Sequence, residues 1–584
     1  MSGTFDPARW PEAVAVLDRL TPAGLHDVAI PAAPTTATGV IEALAQMICE
    51  WWDHLPPPRR RTAVGRSRTD IAILAMGSPP LTTAALTLAV EVMGVAAGKP
   101  ASEAWAADAR ARLLAMRKDG ANWLRGSRRH IARAAEARDI PWRQLASAPI
   151  ILQLGEGRHG RRFDASGTPG TGLVATNLAG NKRLANRALR RAGLPVARQM
   201  PVETIADVRR AARTFGLPIV LKPEALRAMQ GMRIIYGEPD IEAAFAHSAA
   251  LGVPLLVEKY IPGNEYRVLV MDDAVIAALK RVPATVVGDG RSTIAELVAR
   301  ENTDPRRGAM ADGFPLAPMA LEALALRYLQ ECGRTTSDVP AAGERVQIHP
   351  LPMMQFGGGA KLDATDDIHP DNREVAIRAV RVLGLDIGGI DFRTPDIARS
   401  WREVGAGICE VNPQPNIGLH YDTVPPRDVG RIIVDRVCPP DVELRMCHVV
   451  LVGDGDLRPW VADVAQALRT RYGWRVATAA EGAVDLEGFR PPLRVPSLRD
   501  AYGLIVEDPT LDAAVYATPA AHIVRYGLGM DRADVGLALA GEERYLRPAL
   551  ATLATARARI ARLPADPQAA GAKVLQQLDL RARG

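Results

Sequence analysis

The sequence predicts an α/β fold spread over more than one domain, and three observations carry that prediction. From about residue 151, short apolar runs alternate with amphipathic helical stretches. The residues before that lack the alternation and read as helix-rich, with some strand. After Pro439-Pro440 a fresh strand, glycine turn and helix begin with HVVLVGDG. At 584 residues the chain is too long for one core. The expected domains are 1–150, 151–440 (with an insert at 284–360) and 441–584.

Composition narrows the function classes. Hydrophobic content of 48% and charged content of 24% are ordinary for a folded, soluble protein. The net charge of +6 is mild for this length and is carried largely by arginines scattered along helices, such as Arg110, Arg112, Arg117 and Arg128. This favours a solvated basic face, or affinity for acidic substrates and ATP, over nucleic-acid binding. Five cysteines stand far apart with no C-x-x-C pair, so neither a disulfide frame nor a structural zinc is expected. The N-terminus MSGTFDPARWPEA has no signal pattern, and the apolar run 81–98 is broken by Glu91. A cytoplasmic protein without a membrane partner follows.

The elements can be justified in order. Ile41–Trp52 and Ala104–Met116 carry apolar residues at helical spacing, and PPPRRR at 56–61 reads as a turn or loop. ILQLGEG is a strand ending in a glycine turn. Asn181–Ala192 is a helix stopped by Gly193-Leu194-Pro195. A helix at 206–215, a buried strand at 218–222, a helix at 241–251 and a strand at 254–260 come next. Two strands, 265–271 and 274–281, turn at Asp272-Asp273. A helix at 373–383 leads to two strands around GGIDFRT and GICEVN. In the last region, 457–472 and 543–563 read as helices.

Chemistry concentrates in the strand pair at 388–420. Glu410 and Asn412 are two apart on one strand and project together, and Asp391 joins them if the strands pair. An all-oxygen set of this kind suits Mg²⁺ held with a nucleotide rather than zinc. Upstream, Lys182 opens a helix and Lys222 ends the apolar strand PIVLKP, and both can neutralise phosphates. Glu258 ends another strand, with Glu265 seven residues later, and such a pair can reach an adenine edge and ribose hydroxyls. Each residue alone is most often a solvated surface group; the ordered set is much harder to obtain by chance.

These residues, together with ILQLGEGRHGRRF, LKRVPATVVGDGRSTIAELV, NTDPRRG, VQIHPLPMMQFGGGAKLDATDDIHPDN, VLGLDIGGID and EVNPQPNIGLH, resemble the ATP-grasp ligases, and within them the cyanophycin synthetase family. The resemblance covers roughly 125–440. It implies an α+β ATP-grasp fold with ATP and Mg²⁺, and ATP-dependent amide formation through an acyl phosphate. It further implies an amino-acid or peptide substrate and a homo-oligomer, dimer or tetramer. On it, Arg267 and Arg281 are candidates for holding the acyl phosphate or substrate carboxylate. Arg306, Arg307 and His420 are candidates for substrate binding.

Two departures stand out. The phosphate-covering loop after Lys222 reads KPEALRAMQGMRI and keeps one glycine, Gly231, where the family is glycine-rich. The family's Mur-ligase-like C-terminal domain opens with a phosphate loop, whereas here the turn is VGDGDLRPW, without Gly-Lys-Thr. Residues 441–584 therefore read as a shortened, degenerate Mur-like remnant. The expected chemistry is one type of amide bond; the alternative is a non-catalytic scaffold with a spoiled nucleotide lid.

Overall fold

The structure, a computed structural model, describes residues 9–20, 44, 47, 79–123, 126–145, 148, 150–224, 231–304, 307–308, 316–350, 352, 356–358, 361–421, 423–539 and 543–582. The expected helix Ile41–Trp52, apart from residues 44 and 47, and the loop 56–61 lie outside these residues. Two compact units emerge. One takes Met1–Arg125, Ala132–Arg162 and Cys438–Gly584, and the other takes Gly126–Ile131 and Phe163–Val437.

In the first unit, helices α1 (Trp10–Leu20), α2 (Pro79–Ala96) and α3 (Glu103–Trp123) close an apolar core around Leu17, Leu88, Val92 and Leu113. The alternating run Trp142–Gln144 (β1) pairs antiparallel with Ile151–Leu154 (β2).

The second unit holds the motif-rich residues. Helix α4 (Leu173–Gly180) is followed at once by α5 (Lys182–Arg191), because the Asn181 side chain accepts the N–H groups of Arg183 and Leu184 and restarts the helix. Gly193, at φ +77°, ends it. A four-stranded sheet follows in the order β3-β6-β4-β5, built from Gln199–Val202 (β3), Ile219–Pro223 (β4), Arg233–Ile235 (β5) and Leu255–Lys259 (β6). Its apolar face packs on α6 (Ile205–Phe215), started by a Thr204/Asp207 capping box, and on α7 (Ile241–Ala249).

The second sheet is larger. Asn264–Met271 (β7) and Ala274–Arg281 (β8) form the expected hairpin, with Asp272 in its turn at φ +51°. The insert contributes Thr285–Val287 (β9), α8 (Ile294–Glu301), α9 (Ala323–Glu331) and Arg345–Gln347 (β10) around its own small core. Lys361–Asp363 (β11), Ile387–Thr394 (β12), Gly407–Asn412 (β13) and Thr423–Val424 (β14) complete a six-stranded sheet in the order β13-β12-β7-β8-β11-β14. Helix α10 (Pro370–Leu383) covers its apolar face, starting at a proline and ending at Gly384 in the left-handed region. Helix α11 (Val429–Val437) closes the unit.

The remainder of the first unit is a six-stranded sheet, order β17-β16-β18-β15-β19-β20. Its strands are Cys447–Val452 (β15), Val476–Ala480 (β16), Ala483–Leu486 (β17), Ala513–Thr518 (β18), Val535–Ala538 (β19) and Arg559–Arg562 (β20). All pairs are parallel except the β16–β17 hairpin. Helices α12 (Arg458–Tyr472) and, at the end of the chain, Ala570–Ala582 pack on one face. The other face carries α13 (Leu498–Val506), α14 (Ala520–Tyr526) and α15 (Glu543–Thr555). The single helix expected over 543–563 is corrected here. It stops at Thr555, the chain turns with Arg557 at φ +60°, and RIAR adds an edge strand to β19. Pairing with an open sheet edge overrides a helical spacing that four residues cannot enforce. No described helix is long and apolar enough to cross a membrane.

Candidate active site

Side chains alternate along strands, and the larger sheet of the second unit uses that alternation to separate core from chemistry. Tyr266, Val268, Val270, Ile390, Phe392 and Val411 point to the core under α10. Their neighbours on the opposite face are charged. Register places Glu265 opposite both Arg281 and Arg393, Arg267 opposite Asp391, Asp391 opposite Glu410, and Gly389 opposite Asn412. Lys361 and Asp363 of β11 extend the same face beside Arg281 and Leu279.

Within this face the arginines engage the acids. Arg281 donates to Glu265 at 2.6 Å and lies 3.9 Å from Asp391 Oδ1. Arg267 Nε approaches Asp391 Oδ1 at 2.9 Å as an ion pair, yet neither atom makes an aligned hydrogen bond, so a buried carboxylate oxygen keeps an open acceptor. Asn412 Nδ2 donates to Gly389 O and to Asp391 Oδ2, both at 3.3 Å. Burial pushes the Glu265 carboxyl upward, Arg281 pulls it down, and the Asp391 charge adds to the net rise. Gly389 is required by closeness: a Cβ there would lie 2.7 Å from Arg267 Nη1 and from the Pro415 ring.

The smaller sheet supplies a second charged pair. Lys222 Nζ lies 2.6 Å from Glu258 Oε2, both largely buried, and Gln199 Nε2 donates to the other Glu258 oxygen. Burial disfavours the ammonium, but Glu258, helped by Glu410 and Cys409, more than offsets it and raises the lysine pKa. The influence of Glu410 places the Lys222 end of this sheet near that carboxylate of the larger one. Burial beside Glu258 also pushes the Cys409 thiol up to about 12, leaving it inert at neutral pH.

The expected residues are thus brought together to different degrees. Glu265, Arg267, Arg281, Asp391, Glu410 and Asn412 share one face, with Lys222 and Glu258 near it. Lys182 is half-buried at the first position of α5. Gly231, at φ +69°, packs against Pro223 and Leu251, and its carbonyl accepts from Ser248 at 2.8 Å. Residues 225–230 of the altered loop lie outside the described residues, as does Arg306. Arg307 donates from Nη1 to the Ala317 and Gly357 carbonyls, which anchors it within the insert, while its buried Nε makes no hydrogen bond among the described residues. His420 is buried, and neither ring nitrogen is hydrogen-bonded among the described residues. Burial, and then Arg267, hold its pKa down to about 3 despite Asp363, so the ring is neutral.

Sequence reasoning missed Lys361 and Asp363. Their charge–apolar–charge spacing in KLD, a strand pattern, was the available signal. It also missed Arg427, which grips Asp363 at 2.9 Å and for which no local pattern exists. Among the described residues no three His, Cys, Asp or Glu side chains are gathered for a metal ion. The candidate set is two carboxylates and a carboxamide, all offering oxygen.

Residues 181–321 match the family model of the carbamoyl-phosphate synthase L chain ATP binding domain. Cyanophycin synthetase of Trichormus variabilis is 34% identical over 413 residues, 70% of this chain and 45% of the relative. That of Synechocystis is 32% identical over 434 residues, 73% of this chain and 49% of the relative. The glutathione biosynthesis bifunctional protein of Clostridium perfringens is 31% identical over 250 residues, 41% of this chain and 31% of the relative. The chain spans about half the length of the cyanophycin synthetases it matches. Among solved structures, a bifunctional glutathione synthetase from Pasteurella multocida aligns with TM-score 0.41 and 22% identity, over 61% of this chain and 52% of that one.

Proposed function

We propose that the protein is an ATP-dependent carboxylate–amine ligase that makes one type of amide bond from amino-acid or peptide substrates. The observation that carries this reading is the meeting of two charged strand ends. A buried Lys222–Glu258 pair on one sheet lies near enough to Glu410 of the other to feel its charge, and Glu410 stands opposite Asp391. The cyanophycin synthetases and the ATP binding domain model that the chain resembles support it.

In this reading Lys222 and Lys182 bind the ATP phosphates, Glu258 and Glu265 orient the nucleoside, and Gly231 lets the chain approach it. A substrate carboxylate oxygen attacks the γ-phosphorus, the bond to the β-phosphate oxygen breaks, and ADP leaves. The amine then attacks the acyl carbon, and inorganic phosphate leaves as the C–N bond forms. Arg267 and Arg281, whose planar forks match phosphate and carboxylate oxygens, hold the acyl phosphate against hydrolysis. His420, uncharged and without a partner, supplies a hydrogen bond to substrate without adding charge.

The oxygen donors fit Mg²⁺: Asp391 has an open buried oxygen, with Glu410 and Asn412 beside it. Asp391, Glu410 and Asn412 would hold the ion, which neutralises phosphate charge when bound. The finer expectations travel with the same proposal: three domains bounded near 150 and 440, a cytoplasmic homo-oligomer that binds neither nucleic acid nor membrane, and a Mur-like origin for 441–584.

One feature favours the non-catalytic alternative, the loss of glycines from KPEALRAMQGMRI. Phosphate release from ATP and Mg²⁺, measured over amino acids and dipeptides singly and in pairs, decides between them. Release that requires a particular pair supports the ligase. Absence of both release and ATP binding supports the scaffold.

A further inference from the structure

The parallel sheet of the first unit contains a switch in winding. From β15 the chain crosses through α12 to β16, while from β18 it crosses through α14 to β19 on the far side of β15. These two crossovers lie on opposite faces of the sheet. Their strands are neighbours. In open α/β sheets the crevice beyond the carboxyl ends of such strands is where ligands bind.

A cavity of about 280 Å³ occupies that place. Its apolar lining comes from Leu457, Ala479, Val495 and Ala501. Four polar features converge on it. Thr518, at the end of β18, is 5% exposed, and its hydroxyl has no hydrogen-bond partner among the described residues. Ser497 and Leu498 bring the positive end of the nine-residue helix α13 to one wall. Arg494 lines the cavity without an ion pair among the described residues. Glu481, held in the β16–β17 turn at φ +51°, lines it with only a loose 3.7 Å contact to Arg458.

We propose that this cavity binds a free L-amino acid. A cation and a helix N-terminus suit the α-carboxylate, Glu481 suits the α-ammonium, and the apolar lining takes a side chain. The volume falls just under the range typical of drug-sized ligands. A nucleoside triphosphate is disfavoured, because the first strand–helix turn offers Asp454 and Asp456 and no lysine. This inference stands apart from the ligase reading, since the site lies in the other unit and involves no ATP.

The test is calorimetric titration of the full chain, without ATP, with each proteinogenic L-amino acid in turn, and separately with inorganic phosphate and ATP. At least one amino acid is expected to saturate a site. Arg494→Ala, at an exposed position, should weaken it about tenfold or more, and the isosteric Thr518→Val about fivefold. Glu410→Gln, which acts on ATP turnover in the other unit, should leave this affinity unchanged even if the ligase reading fails. The proposal is overturned if no amino acid binds, if both cavity variants bind like the parent chain, or if Arg494→Ala weakens phosphate or ATP and no amino acid.

Discussion

Lys222 and Glu258 sit diagonally across neighbouring strands, with Val220 directly opposite Glu258, and their charges meet at 2.6 Å in a largely buried setting. Such a pair is sensitive to half-removal, because the surviving charge stays buried without its partner. Lys222→Met should therefore cost about 3–5 kcal/mol of stability in urea denaturation. Adding Glu258→Gln should restore most of that loss. Phosphate release should remain absent in both variants, since the phosphate-binding cation is gone. Release at the parent rate in the double variant would exclude Lys222 from nucleotide binding.

Asp391 and Glu410 face each other across β12 and β13, and an Asn or Gln at either place keeps shape while removing charge. Asp391→Asn and Glu410→Gln should each lower ATP turnover about 10²-fold or more. Unfolding transitions should stay cooperative and shift little for Glu410→Gln. Asp391→Asn should lose more stability, because Arg267 then keeps a buried charge with a neutral neighbour. Parent-like turnover in either variant would remove that residue from the metal set.

Gly389 is permissive for Arg267. An added methyl would press on Nη1 of the guanidinium and on the Pro415 ring, and the long side chain yields before the ring does. Gly389→Ala is expected to raise KM for the carboxylate substrate and lower kcat together, with a smaller effect on ATP binding measured by calorimetry. A loss confined to ATP affinity would mean that Arg267 serves the nucleotide.

The legible parts of this molecule are those set by short-range rules. Asn181 and Gly193 bracket a helix in the sequence and in the structure. The period of two in GGIDFRT and GICEVN puts Asp391, Glu410 and Asn412 on one face once the strands pair. What stayed hidden depends on distant partners. Arg427 reaches Asp363 across 64 residues, and nothing local to either announces it. RIAR becomes a strand because β19 offers an edge, and Arg307 turns to backbone carbonyls that only the folded insert brings near.

His420 gives the site an acid sensitivity. In the folded chain its pKa is held down to about 3, by burial first and then by Arg267, whereas in the unfolded chain the ring titrates near its ordinary ~6.5. Between those values the unfolded state binds more protons, so falling pH favours unfolding through this window, while above it the term is constant. The parent should lose stability as pH drops from about 7 to about 4.5, by an amount to which this ring contributes. His420→Gln, which cannot take up a proton, should show a smaller loss over the same interval in urea midpoints. Identical pH slopes for parent and variant would mean that the ring is not held buried and neutral.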